Sequence, residues 1–216
     1  MILAEGTVIG SQWKIGKLVG EGACGRVYAV TSTNPRDSYS FPLVAKVIPT
    51  PTGTGKAAAE QKRLCDTLFY EFQLFHGQLC NFSYRPNIPD LRLFHGIDKD
   101  HNVRFMIMER FERDLVAYAT AEEPTQKDVA EIGLQILDGL MWMHDKGLLF
   151  IDVKPDNFML TGKNVKFVDY GLVERWANST GMHYMTISCQ RKTWFSPNLM
   201  RLPRSRRALS QHFDPR

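Results

Sequence analysis

Asp152-Val153-Lys154-Pro155-Asp156-Asn157, followed twelve residues after its asparagine by Asp169-Tyr170-Gly171, is the stretch on which the reading of this chain turns. Two carboxylates, a lysine and an amide fall within one short span. Phosphoryl transfer needs such parts: a carboxylate that accepts or orients a hydroxyl proton, a cation on the moving phosphate, and oxygen ligands for Mg2+. Asp152 and Lys154 suit the first two tasks, and Asn157 and Asp169 suit the third. Mg2+ favours sites with few protein oxygens, completed by phosphates and water.

Toward the N-terminus, Gly20-Glu21-Gly22-Ala23-Cys24-Gly25-Arg26-Val27 lies between two strand-like segments, 13–20 and 26–31. Glycines let a backbone come close to phosphates, although a glycine-rich hairpin alone could carry the same run. A dinucleotide-binding fingerprint requires a helix directly after the glycines. Here a strand pattern follows, Val27-Tyr28-Ala29-Val30, and a third strand, 43–48, carries Val44-Ala45-Lys46. That is a strand lysine behind a glycine-rich loop. Pro49 to Lys56 superficially resembles a phosphate-binding Gly-Lys motif. It lacks the spaced first glycine and the Ser or Thr after Lys56, so it reads as a connecting loop.

From Ala57 to about Leu79 the period becomes helical, with Leu64, Leu68, Glu71 and Phe75 on one face. A carboxylate on an apolar face is costly unless paired. Lys46 is the predicted partner; its place behind the glycine loop resembles the protein-kinase arrangement, which implies that it holds the α- and β-phosphates. Glu60 is the rival; it lies nearly three turns earlier, off the apolar stripe. Strand patterns return at 91–96 and 103–109. Thr125 to Asp128 then resembles a capping box opening a helix over 126–146, with apolar Val129, Ile132, Ile136, Leu137, Leu140 and Met143. Lys146-Gly147 ends it, and strands are predicted at 148–151 and 165–169. Strands first and helices later predict an α+β protein, with a β-rich first lobe and a helical second lobe.

These motifs, in this order, resemble the eukaryotic protein kinases. Within them the chain is similar to the casein kinase 1 superfamily and its vaccinia-related kinase branch. The resemblance is carried by Trp13-Lys14-Ile15-Gly16, by Phe105 to Phe111 before Asp114-Leu115, by Ile136-Leu137-Asp138, and by Asp169-Tyr170-Gly171-Leu172. Phe195-Ser196-Pro197-Asn198 and Ser205-Arg206-Arg207 resemble that branch's late motifs. The resemblance implies a bilobal kinase-like fold: an N-lobe and hinge over 1–111, a partial C-lobe through the activation segment over 112–207, and a divergent basic tail over 208–216. It implies ATP and Mg2+ as cofactors and a protein substrate. Gly20, Glu21, Gly22, Ala23, Cys24, Gly25 and Val27 would cover the phosphates. Val27 and Ala45 would roof the adenine and Met159 would floor it. Met108 would be the gatekeeper, with Glu109 to Phe111 as the hinge. Asp152 would be the catalytic base, Lys154 the γ-phosphate contact, and Asn157 and Asp169 the metal ligands. A lysine two residues after the catalytic aspartate looks like the serine/threonine type.

The chain departs from the family in two places. Phe150-Ile151 stands where His-Arg is usual. Phe150 keeps the packing of the histidine, and Ile151 removes the arginine that pairs with a phosphorylated activation segment in many kinases. Activity that does not depend on phosphorylation of that segment is therefore expected. In the resembled branch, two acids follow the Ser-Arg-Arg run and open a central helix. Here Ala208-Leu209 follows and the sequence stops at Arg216, which predicts a C-terminally truncated lobe. Uncovered apolar side chains, at roughly 1.5–3 kcal/mol each, would then call for a stabilising protein partner. Two functions stay open: a serine/threonine protein kinase, or an ATP-binding pseudokinase or truncated regulator that acts by binding. A small-molecule kinase fits the late motifs less well.

Composition sets the outer bounds. The 216 residues are 44% hydrophobic and 23% charged, which excludes collagen-like and wholly disordered readings. No apolar run is long enough to span a membrane, and the N-terminus lacks a secretory pattern. Of 27 Lys and Arg and 23 Asp and Glu, residues 201–216 hold five arginines and Asp214. The first 200 residues are therefore neutral, the basic excess belongs to the tail, and nucleic acid is not an expected partner. Cys24, Cys65, Cys80 and Cys189 show no metal-ligand spacing. Reduced thiols and a nuclear or cytoplasmic location are expected.

Overall fold

The computed structural model describes residues 2–22, 25–82, 86–89 and 94–175. The chain divides into two units, Met1–Asn178 and Ser179–Arg216, and only the first contains described residues. Ala23, Cys24, the first half of the strand predicted at 91–96, the two late motifs and the tail 208–216 lie outside them.

Six antiparallel strands build the first half: β1 (Val8–Ile9), β2 (Trp13–Gly22), β3 (Gly25–Ser32), β4 (Leu43–Pro49), β5 (Phe94–Asp98) and β6 (Val103–Glu109). Their order is β1-β2-β3-β4-β6-β5. The β-branched run of β4 has no exposed residue, as suits a strand covered on both faces. One face of the sheet buries Trp13, Ile15, Tyr28, Ala45, Phe105 and Ile107. The other receives α1 (Lys56–Gly77), whose buried residues are Cys65, Leu68, Glu71, Leu74 and Phe75. The predicted stripe is thus observed with Leu64 half-buried at its edge.

The second half holds β7 (Arg113–Asp114), α2 (Leu115–Glu122), α3 (Gln126–Asp145), β8 (Leu148–Leu149), β9 (Phe158–Thr161), β10 (Asn164–Phe167) and β11 (Glu174–Arg175). β10, β9 and β7 form one small sheet, and β8 pairs with β11. The capping box is present: Thr125 Oγ1 accepts from the Asp128 N–H at 3.2 Å, and Asp128 accepts from the Thr125 N–H at 3.1 Å. Gly147, at φ 71°, ends the turn that follows α3.

Of the six apolar positions read on α3, Val129 and Leu137 are 57% and 56% exposed. The helix packs inward through Ile132, Ile136, Gly139, Leu140 and Met143. Leu137 belongs to a second apolar stripe with Leu134 and Met141, and a sequence pattern that is apolar on two faces does not say which one is inside.

One core joins the halves. It runs from Leu68, Phe75 and Met106 under the sheet to Met143, Phe150, Phe158, Phe167 and Tyr170 below. Phe150 lies 5.2 Å from Phe167 and 6.0 Å from Tyr170, ring centre to ring centre, so it does the packing predicted for it. Cys65 is a free thiol. Among the described residues no helix is long and apolar enough to cross a membrane.

Candidate active site

Antiparallel register places the strand lysine. Val27, Lys46 and Met106 lie opposite one another across β3, β4 and β6, so their side chains share the face that α1 covers. Lys46 Nζ reaches Glu71 Oε2 at 3.0 Å and Asp169 Oδ1 at 3.4 Å. The partner predicted from the helical stripe is therefore the one observed. Glu60 is exposed and pairs with Arg63 on its own helix.

Glu71 is 1% exposed. Burial pushes its carboxyl above the ordinary range, Lys46 beside it pulls back, and the Asp169 carboxylate pushes further up. Its second oxygen accepts from the Tyr170 N–H at 3.1 Å, which ties α1 to the D-Y-G triplet. Asp169 itself sits at φ 63°, a strained conformation for a non-glycine residue. Gly171 is required by close approach: a Cβ there would lie 2.6 Å from Thr67 Cγ2 on α1.

The D-x-K-P-x-N turn forms a second cluster. Lys154 Nζ donates to Asp152 Oδ2 at 2.6 Å. Asn157 Nδ2 donates to the Asp152 carbonyl at 2.8 Å and to Asp152 Oδ2 at 3.0 Å. The amide nitrogen thus faces Asp152, which leaves Oδ1 as the atom able to meet a cation. Among the described residues no group of three or more His, Cys, Asp or Glu side chains is arranged to hold a metal alone. One oxygen each from Asn157 and Asp169 fits Mg2+, whose remaining ligands are phosphates and water.

The glycines divide by geometry. Around Gly20 and Gly22 an added Cβ would meet nothing within 4 Å, so a phosphate can approach the backbone there. Gly25 lies at φ 117°, and its Cβ would stand 2.6 Å from the Val47 carbonyl. Gly20→Ala and Gly22→Ala should therefore weaken nucleotide binding with little change in melting temperature. Gly25→Ala should cost about 1–3 kcal/mol of stability. Paired thermal melts and ATP titrations check this, and equal melting losses at all three positions would refute it.

Other predicted residues fall as follows. Glu21 pairs with Arg26 and bridges the two arms of the loop. Met108 lies on the Lys46 face and, with Glu109 and Phe111, lines a cavity of about 10 Å³ that also touches Glu71 and Asp169. On β9, Phe158 and Leu160 are buried, and Met159 between them faces the other way.

Ala45 is a correction. It is fully buried in the outer core with Tyr28 and Ile107, because adjacent strand residues point to opposite faces. Val44, two residues before Lys46, occupies the cleft side of β4, opposite Met108. Sequence reasoning missed it, although period-2 alternation counted from Lys46 carried the signal.

The protein kinase domain model matches residues 13–214. The chain is 30% identical over 184 residues to the B1 kinase of monkeypox virus, covering 80% of this chain and 55% of that protein. It is also 30% identical to the B1 kinase of vaccinia virus (strain Western Reserve), covering 56% of that protein. A serine/threonine-protein kinase PknG of Mycobacterium leprae is 26% identical over 193 residues, 85% of this chain and 23% of that protein. The chain spans about half the length of the viral relatives, and these agree with the vaccinia-related resemblance read from the sequence.

Proposed function

The chain belongs to the protein kinase family, and from that premise we propose that it transfers the γ-phosphate of ATP to serine or threonine hydroxyls of a protein. One observation carries the reading: Lys46 sits between Glu71 and Asp169, at 3.0 and 3.4 Å, below a loop whose first two glycines leave open space where a side chain would stand. A cation so placed can take the α- and β-phosphates while Glu71 holds it. Asp152 orients the substrate hydroxyl and takes its proton as the oxygen bonds to the γ-phosphorus and the bond to the bridging oxygen breaks. Lys154, 2.6 Å from Asp152, neutralises charge on the moving phosphate. Asn157 and Asp169 would hold Mg2+, which when bound draws charge from the phosphate oxygens.

The test is Mg·ATP-dependent incorporation of phosphate into casein or histone, with Lys46→Met as control. Phosphate incorporated by the parent chain alone supports the proposal. Incorporation by neither, with thermal stabilisation by ATP retained, would replace it with a protein that acts by binding.

A further inference from the structure

The segment after Asp169 is tied to α1 at three levels. Glu71 accepts from the Tyr170 N–H at 3.1 Å. One residue earlier on the helix, the Tyr70 hydroxyl donates to the Val173 carbonyl at 2.6 Å, across 103 residues of sequence. Where α1 ends, Gln78, with its amide oxygen turned toward Arg175, accepts from that guanidinium. Opposing these ties is a contact: Gly171 lies so close to Thr67 that a single added carbon would collide. The contact stops α1 from moving inward, and the hydrogen bonds stop it from moving outward.

We propose that Tyr70 is a positioning residue: through the Val173 carbonyl it holds α1 and residues 169–173 as one unit, keeping Glu71 on Lys46 and Asp169 facing the cleft. Core packing does not account for the choice of tyrosine. The side chain is 37% exposed, while Leu68, Leu74 and Phe75 fill the core from the same helix. What tyrosine supplies beyond phenylalanine is one hydroxyl, and that hydroxyl is used. Ile151 offers no charge with which a phosphate on the later segment could be recruited, so the tie comes from groups already present. The nucleotide part of this inference rests on the kinase reading; the tie between α1 and the segment does not.

The test is Tyr70→Phe in the full chain. Amide hydrogen exchange over 168–175 should become about three- to tenfold faster, the factor one hydrogen bond is worth, with α3 unchanged as internal control. The dissociation constant for Mg·ATP should rise by the same factor, because ATP uses Lys46 and Asp169. Adenosine, which reaches neither, should bind as before. Unchanged exchange over 168–175, or an equal rise in α3, would overturn the assignment. Should the parent chain bind no Mg·ATP, the kinase reading falls, and the exchange measurement still decides the role of Tyr70.

Discussion

Asp152→Asn will lower phosphate incorporation by about 10²–10⁴-fold, the range for losing a general base, while Mg·ATP still binds. The substitution keeps size and removes charge. Asp152 Oδ2 receives both Lys154 and Asn157, so an amide in its place keeps an acceptor but cannot take the hydroxyl proton. The metal oxygens of Asn157 and Asp169 stay, which is why nucleotide binding should survive. Initial rates and an ATP titration on the same preparation provide the check. A variant within threefold of the parent rate would remove Asp152 from the role of base.

The second large effect concerns the lysine used as a control. Lys46→Met leaves Glu71, 1% exposed, without its cation. Removing one partner of a buried pair costs roughly 3–5 kcal/mol when the other stays charged. Glu71 has an escape, which is to take a proton. Burial and the neighbouring Asp169 carboxylate both raise its pKa, and without Lys46 the main opposing charge is gone. A carboxyl with a raised folded-state pKa contributes stability that is full below its unfolded pKa and lost as pH rises through the folded value. The variant should therefore melt far below the parent at pH 7.5 and closer to it at pH 5. Lys46→Met combined with Glu71→Gln lacks the buried carboxyl and should show much less narrowing. A melting gap that stays constant with pH would contradict this account. Inactivity of the lysine variant therefore has to be read beside its melting curve.

Much of this site could be read from the residues because its logic is local. The D-x-K-P-x-N turn is contiguous, and the glycine loop and strand lysine announce themselves by type and order. Glu71 was separable from Glu60 because only one of them falls on the apolar stripe of α1. Ala45 was misplaced because it was taken as the alanine of the strand motif although it adjoins Lys46; strand alternation puts it behind the sheet and Val44 in front. α2 and β9 were not found: α2 buries no residue, and β9 is only four residues long. The tie from Tyr70 to Val173 spans 103 residues, and no local pattern encodes a contact of that separation.

The two ends of α1 are held very differently. Beyond its last turn, Asn87 accepts from the Phe167 N–H at 2.8 Å and donates to the Val165 carbonyl at 3.0 Å, and Lys166 donates to the Ile88 carbonyl at 3.0 Å. At its start, Gly55 offers no side-chain cap and the first turn has no acid. The clamp at Thr67, Tyr70 and Glu71 lies toward the well-held end of the helix. At 1.5 Å per residue, Lys56 stands about 22 Å from Glu71. The uncapped first turns can therefore fray while the turn that carries Glu71 keeps its place on Lys46.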